Sequence, residues 1–117
     1  MINMTEQLVS KETAILAKEK GFTIITGNYY LDDEIITGWS LNGIPTCTQS
    51  LLQKWLRDVH NIDIDINSWK EIYKVLICKN KTLERFIEGF LTYEEALEKS
   101  LQEALKLINN NDISKNN

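Results

Sequence analysis

A helix that stops where a strand begins limits this chain more than any other feature. Pro45 precedes Thr46-Cys-Thr-Gln49, a capping box in which the Thr46 hydroxyl and the Gln49 side chain each satisfy a free amide of the first turn. Leu52, Trp55, Leu56 and Val59 follow at helical spacing and share one face, opposite Gln53, Lys54, Arg57 and Asp58. Asn61 is a good left-handed stop, and at Ile62 the apolar period changes from 3.6 to 2. Ile62, Ile64 and Ile66 then line one face of a strand, with Asp63 and Asp65 on the other. A helix over about 47–59 thus feeds a strand over about 62–66 that has one buried and one wet face.

The rest of the chain extends this α+β pattern. Asn67-Ser68 reads as a turn, and 72–78 as a second strand that closes an antiparallel hairpin with the first. A further strand is expected over 83–90. Thr92-Tyr-Glu-Glu95 is a second capping box, with Glu94 and Glu95 at the positive end of the helix dipole. It opens a helix over about 93–108 whose stripe of Leu97, Leu101, Ala104, Leu105 and Ile108 should lie on the sheet. Nearer the amino terminus Ser10 caps a short helix over about 11–20, with Ala14, Leu16 and Ala17 as its apolar face and Gly21 as its stop. Phe22 to Ile25 suggests a short strand, and Gly27-Asn28 a turn. The segment 29–45 has no clear period and reads as a long connection with one short strand near Ile35 and Ile36. The expectation is one α+β domain over 1–109, with two long helices on a small antiparallel sheet, and a disordered, Asn-rich tail over 110–117.

Composition removes several classes of function. The formal charge of −4 offers no global positive field for phosphates or anionic lipid. Cys47 and Cys78, the only two cysteines, are too far apart in sequence for a zinc site or a disulfide framework. They read as small buried hydrophobes, although Cys47, placed in the first turn of a helix, could have its pKa lowered by the dipole. No apolar run reaches the roughly 18 residues that cross a bilayer, and 1–20 lacks the features of a secretory signal. The chain is therefore expected in the cytoplasm.

Certain residues carry a resemblance. Thr48-Gln-Ser-Leu-Leu-Gln-Lys-Trp-Leu-Arg57, His60-Asn-Ile62, Thr92-Tyr-Glu-Glu-Ala-Leu-Glu98 and Ala104-Leu-Lys-Leu-Ile108 resemble a family of small uncharacterised proteins from phages and prophages of anaerobic gut bacteria. Glu12-Thr-Ala14 and Leu16-Ala-Lys-Glu-Lys-Gly-Phe22 extend the likeness to the first helix. It implies a compact α+β fold and a phage protein inside a bacterial host, with a place in the virion open. It carries no reaction, cofactor or catalytic residue onto this chain.

Candidate chemistry is thin. His60, the single histidine, has Asp58, Asp63 and Asp65 nearby in sequence, but strand parity separates it from Asp63 and Asp65, and a helix-end histidine explains it more simply. Asp63 and Asp65 lie about 7 Å apart on one strand face, as a solvated sheet surface would have them. Asp32, Asp33 and Glu34 lack the glycine and alternating ligands of a calcium loop and read as a polar turn. No phosphate loop, nucleophile elbow or metalloprotease helix is written here. The expectation is a protein without enzymatic activity, metal or cofactor, which acts by binding another protein or itself. Large amphipathic side chains dominate such interfaces, so Tyr29, Tyr30, Trp39 and Trp69, with Asp32 and Asp33, are the candidate surface. The alternative is a small DNA-binding regulator of winged-helix type, with Lys54, Arg57 and Lys70 toward phosphates, which the neighbouring carboxylates disfavour.

Overall fold

The computed structural model describes residues 7–23, 26–38 and 43–109. Three helices and two small antiparallel sheets make an α+β fold. In chain order they are α1 (Lys11–Glu19), β1 (Asn28–Leu31), β2 (Glu34–Thr37), β3 (Ile44–Pro45), α2 (Gln49–His60), β4 (Ile62–Trp69), β5 (Ile72–Lys79), β6 (Thr82–Phe90) and α3 (Tyr93–Leu105). The larger sheet runs β4-β5-β6 and the smaller β2-β1-β3. The expected tail over 110–117 lies outside the described residues.

Helix α3 provides the axis of the core. Thr92 caps it by accepting from the Glu95 amide at 3.1 Å, and Leu97, Leu101, Ala104 and Leu105 are all buried, as their spacing requires. The helix ends at Leu105, short of the expected 108, and Ile108 is buried just beyond it. It contacts α1, α2 and all three strands of the larger sheet. Val75 and Ile77 of β5 and Ile62 and Ile64 of β4 meet it from the sheet, and Leu52, Trp55 and Leu56 of α2 join the same cluster. The last turn of α3 carries no basic residue of its own. Two lysines from elsewhere serve its carboxyl end: Lys79 Nζ donates to the Leu107 carbonyl at 2.8 Å and Lys20 Nζ to that of Ile108 at 2.9 Å.

Helix α2 starts two residues later than the capping box suggested. Thr48, not Thr46, is the cap and accepts from the Leu51 amide at 3.1 Å. Thr46 is fully buried, with its amide on the Asn28 carbonyl of β1, and Gln49 reaches α3 instead of its own helix start. The buried face also turns slightly. Gln49, Leu52, Leu56 and His60 continue it at spacings of three and four, while Val59 is 42% exposed. Asn61 ends the helix at φ 56°.

Most corrections concern turns. The hairpin β4–β5 runs on through Asn67 and Ser68 and turns at Lys70-Glu71, where φ is 50° and 67°. Asn80-Lys81 repeats this at 53° and 67° between β5 and β6. Positive φ at both central residues is the geometry of a type I′ turn, whose twist suits a two-residue hairpin. Lys and Glu are not turn formers, so Asn67-Ser68 gave the stronger local signal. The segment 29–45 is more regular than expected: Tyr29↔Ile36 and Tyr30↔Ile35 pair in a hairpin over Asp32-Asp33, and Ile44–Pro45 pairs with β1 on its other side. Asn28 begins β1 and is not part of a turn. Phe22 is a core side chain outside any strand, and the rest of the expected strand, at 24–25, lies outside the described residues. A side chain at Gly43 would overlap the Tyr29 ring, so the close approach of chain to ring here needs glycine.

A left-handed conformation costs a residue with a Cβ roughly 1–2 kcal/mol. Glu71→Gly should therefore raise stability by about 0.5–1 kcal/mol after its cost in unfolded-chain entropy, seen as a higher urea midpoint at constant slope. A lower midpoint would show that this turn carries no strain.

Candidate interaction surface

The expected surface residues divide between the two sheets. Tyr30 is buried, and its hydroxyl donates to the Val9 carbonyl at 2.8 Å, so it belongs to the core and not to a contact surface. Tyr29 is half-buried over Gly43. Asp32 and Asp33 form an exposed turn, with Asp33 Oδ1 3.1 Å from Lys11 Nζ of α1. Trp39 lies outside the described residues. Trp69 stands on the other sheet, at the end of β4, and is 63% exposed with Lys70 Nζ 5.8 Å from its ring centre.

Trp69 belongs to a larger exposed apolar face. Val75 and Ile77 point into the core, so alternation sends Ile72, Lys74, Leu76 and Cys78 of β5 to the outer side of the sheet. The same rule places Asp63, Asp65, Asn67 and Trp69 of β4 there. Cross-strand pairing then builds rows: Asp63, Cys78 and Leu83; Asp65, Leu76 and Phe86; Asn67, Lys74 and Glu88; Trp69 and Ile72. Leu83 is 56% exposed and Phe86 53%. Lys74 and Glu88 sit 4.0 Å apart, and a hollow of about 350 Å³ lies among Trp69, Lys70, Ile72, Lys74, Glu88 and Gly89.

Leu83 and Phe86 escaped the sequence reading because β6 does not alternate cleanly. The register shifts between Tyr73 and Lys74 and between Ile77 and Cys78, leaving Gly89 and Glu84 as extra residues on β6. Gly89 takes φ 100° at its bulge. Each bulge resets the parity, so Leu83, Phe86 and Glu88 share the outer face although their spacing is three and two.

A second region gathers polar groups around Glu98 of α3. Its carboxylate accepts from the Ser10 amide at 3.0 Å and the Ser10 hydroxyl at 2.8 Å, from the Thr13 hydroxyl, and from Gln49 Nε2 at 3.0 Å. Burial acts to raise its pKa, but the bonds from Thr13, Gln49 and Ser10 outweigh it and hold the carboxyl below the ordinary glutamate value. The open groove beside it, about 470 Å³, is lined by Gln7, Phe90, Thr92, Glu94, Glu95, Glu98, Lys99 and Gln102. Glu98 is thus a charged joint between helix ends, with its oxygens already engaged by the chain itself.

The other chemical candidates are packed or paired. Cys47 precedes α2 instead of lying in its first turn, and burial, followed by the charge of Glu98, pushes its thiol up to about 12. This is the opposite of the dipole effect expected, and the sulfur stays protonated at neutral pH. The His60 ring is buried edge-on to Trp55, with centroids 4.7 Å apart, while Asp63 and Asp65 are exposed. Lys54 and Arg57 both lean on Asp58, at 2.6 and 3.7 Å, so the cations of α2 that a DNA reading would use are partly neutralised. Among the described residues no helix is long and apolar enough to cross a membrane.

No protein-family model, curated protein or solved structure matches the chain.

Glu98→Ala should cost roughly 2–3 kcal/mol, since it leaves several donors with no acceptor. Because the folded carboxyl has the lowered pKa, its contribution is complete above the ordinary glutamate value of 4.5 and fades as pH falls through the folded value. Melting curves across acid pH should show the wild-type advantage over Glu98→Ala shrinking there; an advantage independent of pH would remove the charge from the account. In thiol labelling at pH 8, Cys47 should react only on unfolding, whereas half-buried Cys78 on the outer face should react in the native protein. Equal native rates, read by mass spectrometry, would contradict this placement.

Proposed function

We propose that this protein acts by binding, holding another protein on the outer face of the β4-β5-β6 sheet. The observation that carries this reading is a pair of exposed apolar clusters, Trp69 with Ile72 and Phe86 with Leu83, on either side of the Asn67, Lys74 and Glu88 row, on a sheet whose other face is already filled by α2 and α3. Large apolar side chains exposed in clusters among polar ones mark interaction sites, whereas scattered single ones do not. Aromatic anchors beside a hollow are the usual centre of such a site, and Trp69 stands at one. The helix segments that resemble phage and prophage proteins support placing the partner in an infected or lysogenic bacterial cell, in the cytoplasm, with the virion as a further location.

Leu83→Ser with Phe86→Ser tests the reading. Both side chains are more than half exposed, so the double variant should stay within about 1 kcal/mol of the parent in stability. Tagged parent and variant are compared as baits in infected and lysogenic cells. The parent should retain a partner at least tenfold more than the variant, and equal retention by a folded variant would remove the face from the function.

A further inference from the structure

We propose that the occupant of this face is a basic amphipathic helix of a partner protein, a deduction that rests on the face being the binding surface. Three carboxylates, those of Asp63, Asp65 and Glu88, point outward in the strand rows with one ammonium, Lys74, 4.0 Å from Glu88, while a second, that of Lys70, stands over the Trp69 ring at the far end of β4. The uncompensated charge is therefore the Asp63 and Asp65 pair along one margin of the apolar rows. Residues two apart on a strand are about 6.6 Å apart. Positions i and i+4 of an α-helix rise about 6 Å and share a face. A helix laid along the strands thus sets two successive Lys or Arg side chains over Asp63 and Asp65, while its apolar stripe covers Leu76, Phe86 and Leu83. One of its large apolar side chains enters the hollow of about 350 Å³ beside Trp69.

The same charges argue against a second copy of this chain. A two-fold interface is self-complementary, so an acidic margin must find a basic one on the identical surface. The two cations of this face, Lys74 beside Glu88 and Lys70 over Trp69, are outnumbered by the carboxylates of Asp63, Asp65 and Glu88, so two copies would meet with an excess of negative charge. A phosphate-bearing surface is repelled for the same reason.

The test uses two labelled peptides with leucines at helical spacing, one carrying lysine at every polar position and the other glutamate. Fluorescence anisotropy follows their binding to the full chain at low and high salt. The lysine peptide should bind at least tenfold more tightly than the glutamate peptide, and less tightly as salt rises. Asp63→Asn with Asp65→Asn should weaken it about tenfold, and Phe86→Ser should weaken it further. Asp32→Asn with Asp33→Asn, an equal change of charge on the other sheet, should leave it unaltered. Equal affinity for both peptides, or equal loss in the two aspartate variants, overturns the basic helix while leaving the face as a binding surface. If neither peptide binds and the Leu83 and Phe86 changes also leave partner retention intact, the binding reading itself falls. Sedimentation showing a dimer that Phe86→Ser dissociates would make a second copy the occupant and overturn the proposal.

Discussion

The Glu98 carboxylate joins elements that no continuous sheet or helix would otherwise hold. The start of α1 lies against α3 through Ser10 and Thr13, and the start of α2 through Gln49. The positive dipole ends of α1 and α2 thus lie near one place, and an anion there favours both. Supplying it from the middle of α3 fixes the register of that helix against the other two. The charge also shapes its surroundings: it adds to burial in raising the pKa of Cys47 and of Tyr30. Burial, reinforced by the charge that ties the helices together, keeps the Cys47 thiol protonated.

What local pattern writes was legible, and what distant partners decide was not. The strand parity of Ile62, Ile64 and Ile66 and the stripe of α3 from Leu97 to Leu105 depend on each element having one side to bury, and both match the expectation. The start of α2 was misplaced because Thr46 and Thr48 are equivalent as local caps. The choice falls to Thr48 because Thr46 is drawn into the smaller sheet beside Asn28 and Gln49 toward Glu98. Val59 and His60 differ in the same way: hydropathy favours the valine, while the Trp55 ring holds the histidine inside. The hairpin of Tyr29 to Thr37 and the turn at Lys70-Glu71 contain no glycine to announce them, and their positive φ values are imposed by pairing on either side.

The surface was legible only at Trp69. Its exposure follows from odd parity on β4, which the Ile62–Ile66 pattern already fixes. Leu83 and Phe86 needed the two bulges of β6, and a bulge is a feature of pairing between strands that no single strand displays. Tyr30 shows the converse limit, since an aromatic residue in an irregular segment looks exposed until the carbonyl that receives its hydroxyl is known.

The same bulges bear on how a partner can be held. A free strand edge invites another chain to add to the sheet, and β6 is one outer strand of its sheet. Its regular ladder is interrupted at Glu84 and Gly89, and Glu84, Arg85 and Glu88 are exposed along it. At the opposite edge Gln53 Nε2 of α2 donates to the Ile64 carbonyl at 3.1 Å, occupying a group that an added strand would need. Both edges are thus poor templates, while the open face keeps its apolar rows. A sheet that resists strand addition at its edges and leaves one face uncovered is suited to receive a helix across that face.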